Sequence, residues 1–143
     1  MVRLLFDTSV YIAILRDKTF AEMFRPRYLR DIPFTHLSSV VIHELLAGAR
    51  TFRHRRQAAS LYEPFERVRR IVTPTHGVWK TAGTVVAALF EKDPQFRSKI
   101  SQGLLNDILI GLSARSIGAT VVTRNGEDFR LIQQYATFAL EVI

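Results

Sequence analysis

Five short apolar stretches punctuate the chain, at residues 2–6, 32–37, 71–73, 119–123 and 138–142. Each is bounded by polar or turn-forming residues, which reads as a buried strand. Between them, apolar positions recur at helical spacing. Tyr11, Ile12 and Leu15 follow the first stretch, and residues 40–49 form a helix after the second. Val78, Ala82, Val85, Val86 and Leu89 follow the third, and Leu104, Leu105, Ile108, Leu109 and Leu112 precede the fourth. Residues 20–30, with Pro26 inside, read as a helical or irregular connection. Ala58, Leu61, Phe65 and Val68 make another stripe, which Pro64 is expected to break or restart. Residues 91–102 read as a polar connection and residues 131–135 as a short helix. Thr8 or Ser9, Ser38 or Ser39, and Thr75 are candidate N-caps. Gly118 suits a left-handed helix end, and Arg124, Asn125 and Gly126 a turn out of the fourth strand. Strands alternating with helices predict an α/β fold with a mainly parallel sheet. Its ligand crevice is expected at the carboxyl ends of the strands.

The length of 143 residues suits a single domain over 1–143. No apolar run approaches the roughly 20 residues of a membrane-spanning helix, and Asp7 interrupts the first one, unlike a signal peptide. Charge changes the picture more. Lys and Arg number 20 against 13 Asp and Glu, a net charge of +7 that favours a polyanionic partner, nucleic acid first. Arg50, Arg53, Arg55 and Arg56 cluster in one segment, and Arg67, Arg69 and Arg70 in another. Both could grip a phosphate backbone or form a solvated helix face. With no cysteine there is neither a disulfide framework nor a thiolate metal site.

Most acids have an evident basic neighbour, as Asp17 does between Arg16 and Lys18. Asp7, Glu44 and Asp107 do not. At helical neighbour positions Asp107 meets Gly103, Leu104, Ile110 and Gly111, and Glu44 meets Val40, Val41, Ala47 and Gly48. A carboxylate in such a setting is costly unless something cationic or hydrogen-bonding meets it. Taken singly, Asp7 could cap a turn, Glu44 could be a half-exposed helix acid, and Asp128 could be a loop acid. Taken together they fall around one crevice: Asp7 at the end of the first strand, Asn125 and Asp128 after the fourth, Glu44 and Asp107 on flanking helices. A hard divalent cation relieves the repulsion among such groups, and oxygen-only ligands suit Mg²⁺ or Mn²⁺. Other motifs fail. His43 and Glu44 open an H-E-x-x-H pattern, but position 47 is Ala, and neither G-x-S-x-G nor a phosphate-binding glycine loop is present.

Asp7-Thr8-Ser9 after the first strand, Glu44 in its helix, Asn106-Asp107 in an apolar helix, and the run from Gly118 to Phe129 together resemble a PIN-domain ribonuclease. The resemblance spans the chain and is nearest to the VapC-type toxins of bacterial toxin–antitoxin pairs. It implies a five-stranded parallel sheet flanked by helices and a Mg²⁺-dependent endoribonuclease acting in the cytoplasm. It assigns metal binding and catalysis to Asp7, Glu44 and Asp107, with Asp128 as the fourth acid. Some relatives carry an acid where this chain has Asn125. Ser9, Asn125, Arg53 and Arg56 are the expected substrate contacts. RNA, a small DNA-binding antitoxin and a second copy of the chain are the expected partners. The rival readings are a housekeeping PIN nuclease in RNA maturation and a non-catalytic RNA-binding module. A receiver-like signalling domain is a third, for which Lys80 and Lys99 are poor matches.

Overall fold

The computed structural model describes residues 2–92 and 101–143. The chain alternates β1 (Arg3–Phe6), α1 (Thr8–Arg16), α2 (Lys18–Asp31), β2 (Thr35–Ser38), α3 (Ser39–Gly48), α4 (Phe52–Arg67), β3 (Ile71–Val72), α5 (His76–Lys92), α6 (Gln102–Ser116), β4 (Ala119–Thr123), α7 (Gly126–Gln133) and β5 (Ala139–Val142). All pairings are parallel, in the order β3-β2-β1-β4-β5. The expected five-stranded parallel sheet is therefore present. Among the described residues no helix is long and apolar enough to cross a membrane.

The topology locates the crevice. From β1 the order runs outward through β2 and β3 on one side and through β4 and β5 on the other, so the switch point lies between β1 and β4. Phe6 pairs with Val122, and Asp7 N–H donates to the Val122 carbonyl at 3.0 Å. The residues that leave these strands, Asp7 and Thr123, are thus set side by side. Leu5, Phe6, Val121 and Val122 are wholly buried in the sheet, beneath Val10 and Tyr11 of α1 and Ile108 and Leu112 of α6. Burial of this apolar surface holds α1 and α6 against the strand ends. Phe6, Tyr11 and Phe24 add edge-to-face ring contacts that tie α2 to the same core.

Four expectations need correction. Residues 32–34 form a 3-10 turn around Pro33, and the second strand starts at Thr35. Pro64 does not break its helix: α4 runs through to Arg67. Pro64 stands in the last turn, where the one lost hydrogen bond frees the carbonyl of exposed Ser60, while buried Ala58 and Phe65 keep the stripe on the core. The chain turns out of the helix just beyond its end, at Arg69, in the left-handed region at φ 57. Neither Thr8 nor Ser9 caps α1, because Asp7 occupies the N-cap position. The last helix begins at Gly126, not at Leu131. A Cβ at Gly126 would lie 2.7 Å from a methyl of Val142, so glycine permits α7 to start directly against β5. Elsewhere Ser38, Thr75 and Ser101 cap their helices through side-chain oxygens, and Gly118 has the expected positive φ. The polar connection expected at 91–102 opens inside α5, which reaches Lys92; its residues 93–100 lie outside the described ones.

Candidate functional site

Asp7 is 3% exposed, and both of its carboxylate oxygens are occupied by hydroxyl donors. Ser9 Oγ donates to Oδ1 at 2.7 Å, and Thr123 Oγ1 donates to Oδ2 at 2.8 Å. Each hydroxyl is itself fixed, Ser9 by Arg124 N–H at 3.0 Å and Thr123 by Asn125 N–H at 2.9 Å. With both protons committed to Asp7, the 3.3 Å approach between the two hydroxyl oxygens is a side-by-side contact rather than a further hydrogen bond. Burial raises the Asp7 carboxyl above its usual range, the two hydroxyls draw it back down, and the charge of Glu44 raises it again.

Glu44 is half-buried on α3 and accepts a 2.6 Å hydrogen bond from Thr8 Oγ1, which links α3 to the first turn of α1. Asp107, half-buried on α6, makes no hydrogen bond or ion pair among the described residues. Its carboxyl is pushed up to about 8, by burial first and then by the charges of Asp7, Glu44 and Asp128. Asp128 is half-buried in the first turn of α7, where the helix dipole favours an acid. The electrostatics thus couple all four expected acids around Asp107. The ion pairs among the described residues involve only Arg27, Arg30, Asp31 and Glu141, so none compensates this group. No three acid or histidine side chains among the described residues converge tightly enough to form a closed ligand set.

The expected substrate contacts separate. Ser9 faces Asp7 and orients it. Asn125 is exposed at the start of α7, and it is its backbone N–H that is engaged. Arg53 joins Arg16, Glu44, His54 and Gln57 along a groove of about 360 Å³ between α1, α3 and α4. The groove therefore has an acid at one point and cations beside it. Arg56 is not part of it: its guanidinium stands 5.7 Å from the Phe52 ring centre, on the outer side of α4. Two residues that the sequence reading passed over belong here. Thr123 was hidden as the last residue of a strand, and its only signal was a hydroxyl at the end of the strand adjoining β1. Arg124 follows it, its guanidinium 4.4 Å from the Phe20 ring centre.

A family model for the PIN domain matches residues 4–134. The chain belongs to the PIN domain family. Solved structures agree with this fold. A DNA-bound VapBC from Salmonella typhimurium is similar at 22% identity and a TM-score of 0.71, covering 99% of this chain and 98% of that one. VapBC-1 from nontypeable Haemophilus influenzae has 20% identity and a TM-score of 0.66, with the same coverage of 99% and 98%. VapBC2 from Rickettsia felis, bound to a promoter DNA fragment, has 21% identity and a TM-score of 0.62 over 100% of this chain and 99% of that one. No curated protein matches the chain in sequence.

Proposed function

We propose that this PIN domain is a metal-dependent endoribonuclease, the toxin of a toxin–antitoxin pair, hydrolysing RNA phosphodiester bonds. One observation carries the reading: four acids coupled around Asp107 at the switch point, with no described cation to compensate them. A purely structural carboxylate would be paired. The donor set is all oxygen, with no cysteine in the chain, which fits Mg²⁺ or Mn²⁺. Asp7, Glu44, Asp107 and Asp128 would hold the ion. When bound, such an ion supplies a water of lowered pKa and neutralises charge on the attacked phosphate.

The chain's own residues supply the rest. Ser9 and Thr123 fix the rotamer of Asp7 through hydroxyls that the backbone holds in place, and each carboxylate oxygen keeps lone pairs for a further partner. Thr8 does the same for Glu44. Asp107 holds a proton near neutral pH and gives it up on loading, so metal binding is linked to pH. Arg53 and Arg16 flank Glu44 and attract the phosphate backbone toward the acids, while the exposed amide of Asn125 meets the substrate from the carboxyl end of β4. Arg56 adds to the basic field of α4 from further out.

The test is cleavage of total RNA with Mg²⁺ and in EDTA. Activity restored by Mg²⁺ or Mn²⁺ after chelation is expected; full activity in EDTA would overturn the reading in favour of a metal-free one. The toxin assignment is supported by the VapBC neighbours and brings two partners with it, a small DNA-binding antitoxin and a second copy of this chain. Co-expression with the adjoining gene should relieve toxicity and co-purify a small protein, and sedimentation should show a dimer at micromolar concentration. Toxicity unrelieved by that gene would return the chain to a housekeeping nuclease of RNA maturation. Both roles lie in the cytoplasm, with cellular RNA.

A further inference from the structure

A second hollow, of about 320 Å³, lies between α3, α5 and α6 and is lined by His43, Trp79, Gln102 and Asn106, with Thr73 and Pro74 from the end of β3. It borders the acidic site through two helices. His43 immediately precedes Glu44, and Asn106 immediately precedes Asp107. Consecutive helical residues point about 100° apart, so each helix presents one residue to the acids and its neighbour to the hollow. Trp79 is 53% exposed, a large apolar ring left in contact with water. Gln102 Nε2 donates to Asn106 Oδ1 at 3.0 Å. Whichever way the two amides are turned, one NH₂ and one carbonyl remain free of protein partners among the described residues. Asn106 is only 5% exposed and lines the hollow.

We propose that this hollow seats one unpaired nucleobase of the RNA, stacked on Trp79 and read along its edge by the Gln102–Asn106 amide pair. The inference rests on the reading of the chain as a ribonuclease and adds a specificity site to it. The chemistry selects a base over the other parts of the substrate. Among the described residues no Lys or Arg lines the hollow, and such a lining does not suit a phosphate. An aromatic face beside a free donor and acceptor is what single-stranded bases are held by. An apolar side chain of a protein partner would leave the amide pair unsatisfied, which is costly.

Trp79 is the chain's sole tryptophan, so its fluorescence reports on the hollow alone. With metal removed by EDTA to prevent cleavage, short single-stranded oligonucleotides of A, C, G or U should quench it, and an abasic oligonucleotide of equal length should not. Binding of fluorescein-labelled RNA, followed by anisotropy, should weaken about tenfold in Trp79→Ala, with part recovered in Trp79→Phe and the salt slope unchanged. In Gln102→Ala the affinities for the four homopolymers should converge. Equal quenching by the abasic strand, or undiminished RNA affinity in Trp79→Ala, would overturn the proposal. A Trp79 signal that follows protein concentration and ignores RNA would overturn it too, assigning the hollow to a second copy of the chain. Asp107→Asn separates the two readings: loss of cleavage with no base-dependent quenching leaves the nuclease standing without this site, whereas quenching with cleavage unchanged leaves the site without the proposed chemistry.

Discussion

Asp31, the last residue of α2, and Asp107, inside α6, are the same chemical group, yet their carboxyls are displaced in opposite directions. Asp31 is covered by two arginine side chains: Arg27 Nε lies 3.1 Å from one oxygen and Arg30 Nε 2.8 Å from the other. Arg27 reaches on to both oxygens of Glu141 on β5, at 2.6 and 2.8 Å. The Arg30 guanidinium, and then Arg27, hold the Asp31 carboxyl below its usual range. Asp107 has apolar surroundings, three acids and no described cation, and burial with their charge raises it to about 8. A chain with net charge +7 has arginines to spare, so the difference is one of placement. Asp31 is completed by the fold, whereas Asp107 is left without a compensating partner among the described residues.

The sharpest way to break the comparison is to neutralise an acid of the uncompensated group. Asp107→Asn or Asp7→Asn should lower RNA cleavage by at least about a hundredfold, because an ionised group needed for charge stabilisation is gone. Circular dichroism should show both variants folded; a variant that melts far below wild type would make these acids structural, like Asp31.

The next effect is on stability and reverses the usual cost of a mutation. Because the folded carboxyl of Asp107 stands near 8, above the ordinary 3.8, the folded protein binds the extra proton between those values. That stability is fully present below about pH 4, declines as pH rises, and is gone above about pH 8. In EDTA the wild-type melting temperature should therefore fall between pH 5 and 8 by several degrees more than that of Asp107→Asn. At pH 8.5 Asp107→Asn should be the more stable of the two. Mg²⁺ should narrow that gap, by binding the wild type alone. Parallel melting curves at all pH values would remove Asp107 from the account.

Arg27→Ala probes the other side. It strips Asp31 and Glu141 of their shared partner and should destabilise by about 1–2 kcal/mol, as partly exposed networks do, with cleavage unchanged. Asp31 has a lowered carboxyl, so the gap between wild type and variant should be full above about pH 4 and shrink as pH falls below it. The smallest effect concerns Arg53. Its replacement by Ala should weaken RNA binding about two- to fivefold and reduce the salt slope by roughly one unit, a uniform loss across sequences. An unchanged slope would place Arg53 on a solvated helix face.

The sequence made the sheet and the acids visible for the same reason. Buried parallel strands are short apolar runs, and a carboxylate beside one is conspicuous. Thr123 lay in the run that carries the family resemblance but was given no role, because a threonine at a strand end is ordinary until β1 and β4 are paired and Phe6 is set against Val122. The start of α7 was missed because Gly126 reads locally as a turn, and only the closeness of Val142 shows why a glycine opens a helix there. Pro64 was misjudged because a proline rule written for helix interiors loses force in a final turn with a solvent-facing carbonyl. The Trp79 hollow has no local signature at all: its lining residues come from three helices and the end of β3, and their separation along the chain hides them.

The alternation along α3 and α6 bears on how such a protein can change over generations. His43 and Asn106 face one cavity, while the next residue in each helix faces the acids. If the hollow seats a base as proposed, substitutions at His43, Trp79, Gln102 or Asn106 would alter which RNA is read while leaving Glu44 and Asp107 where they are. On that reading, a lineage of such PIN domains would be free to drift among targets one point mutation at a time, without passing through inactive ancestors.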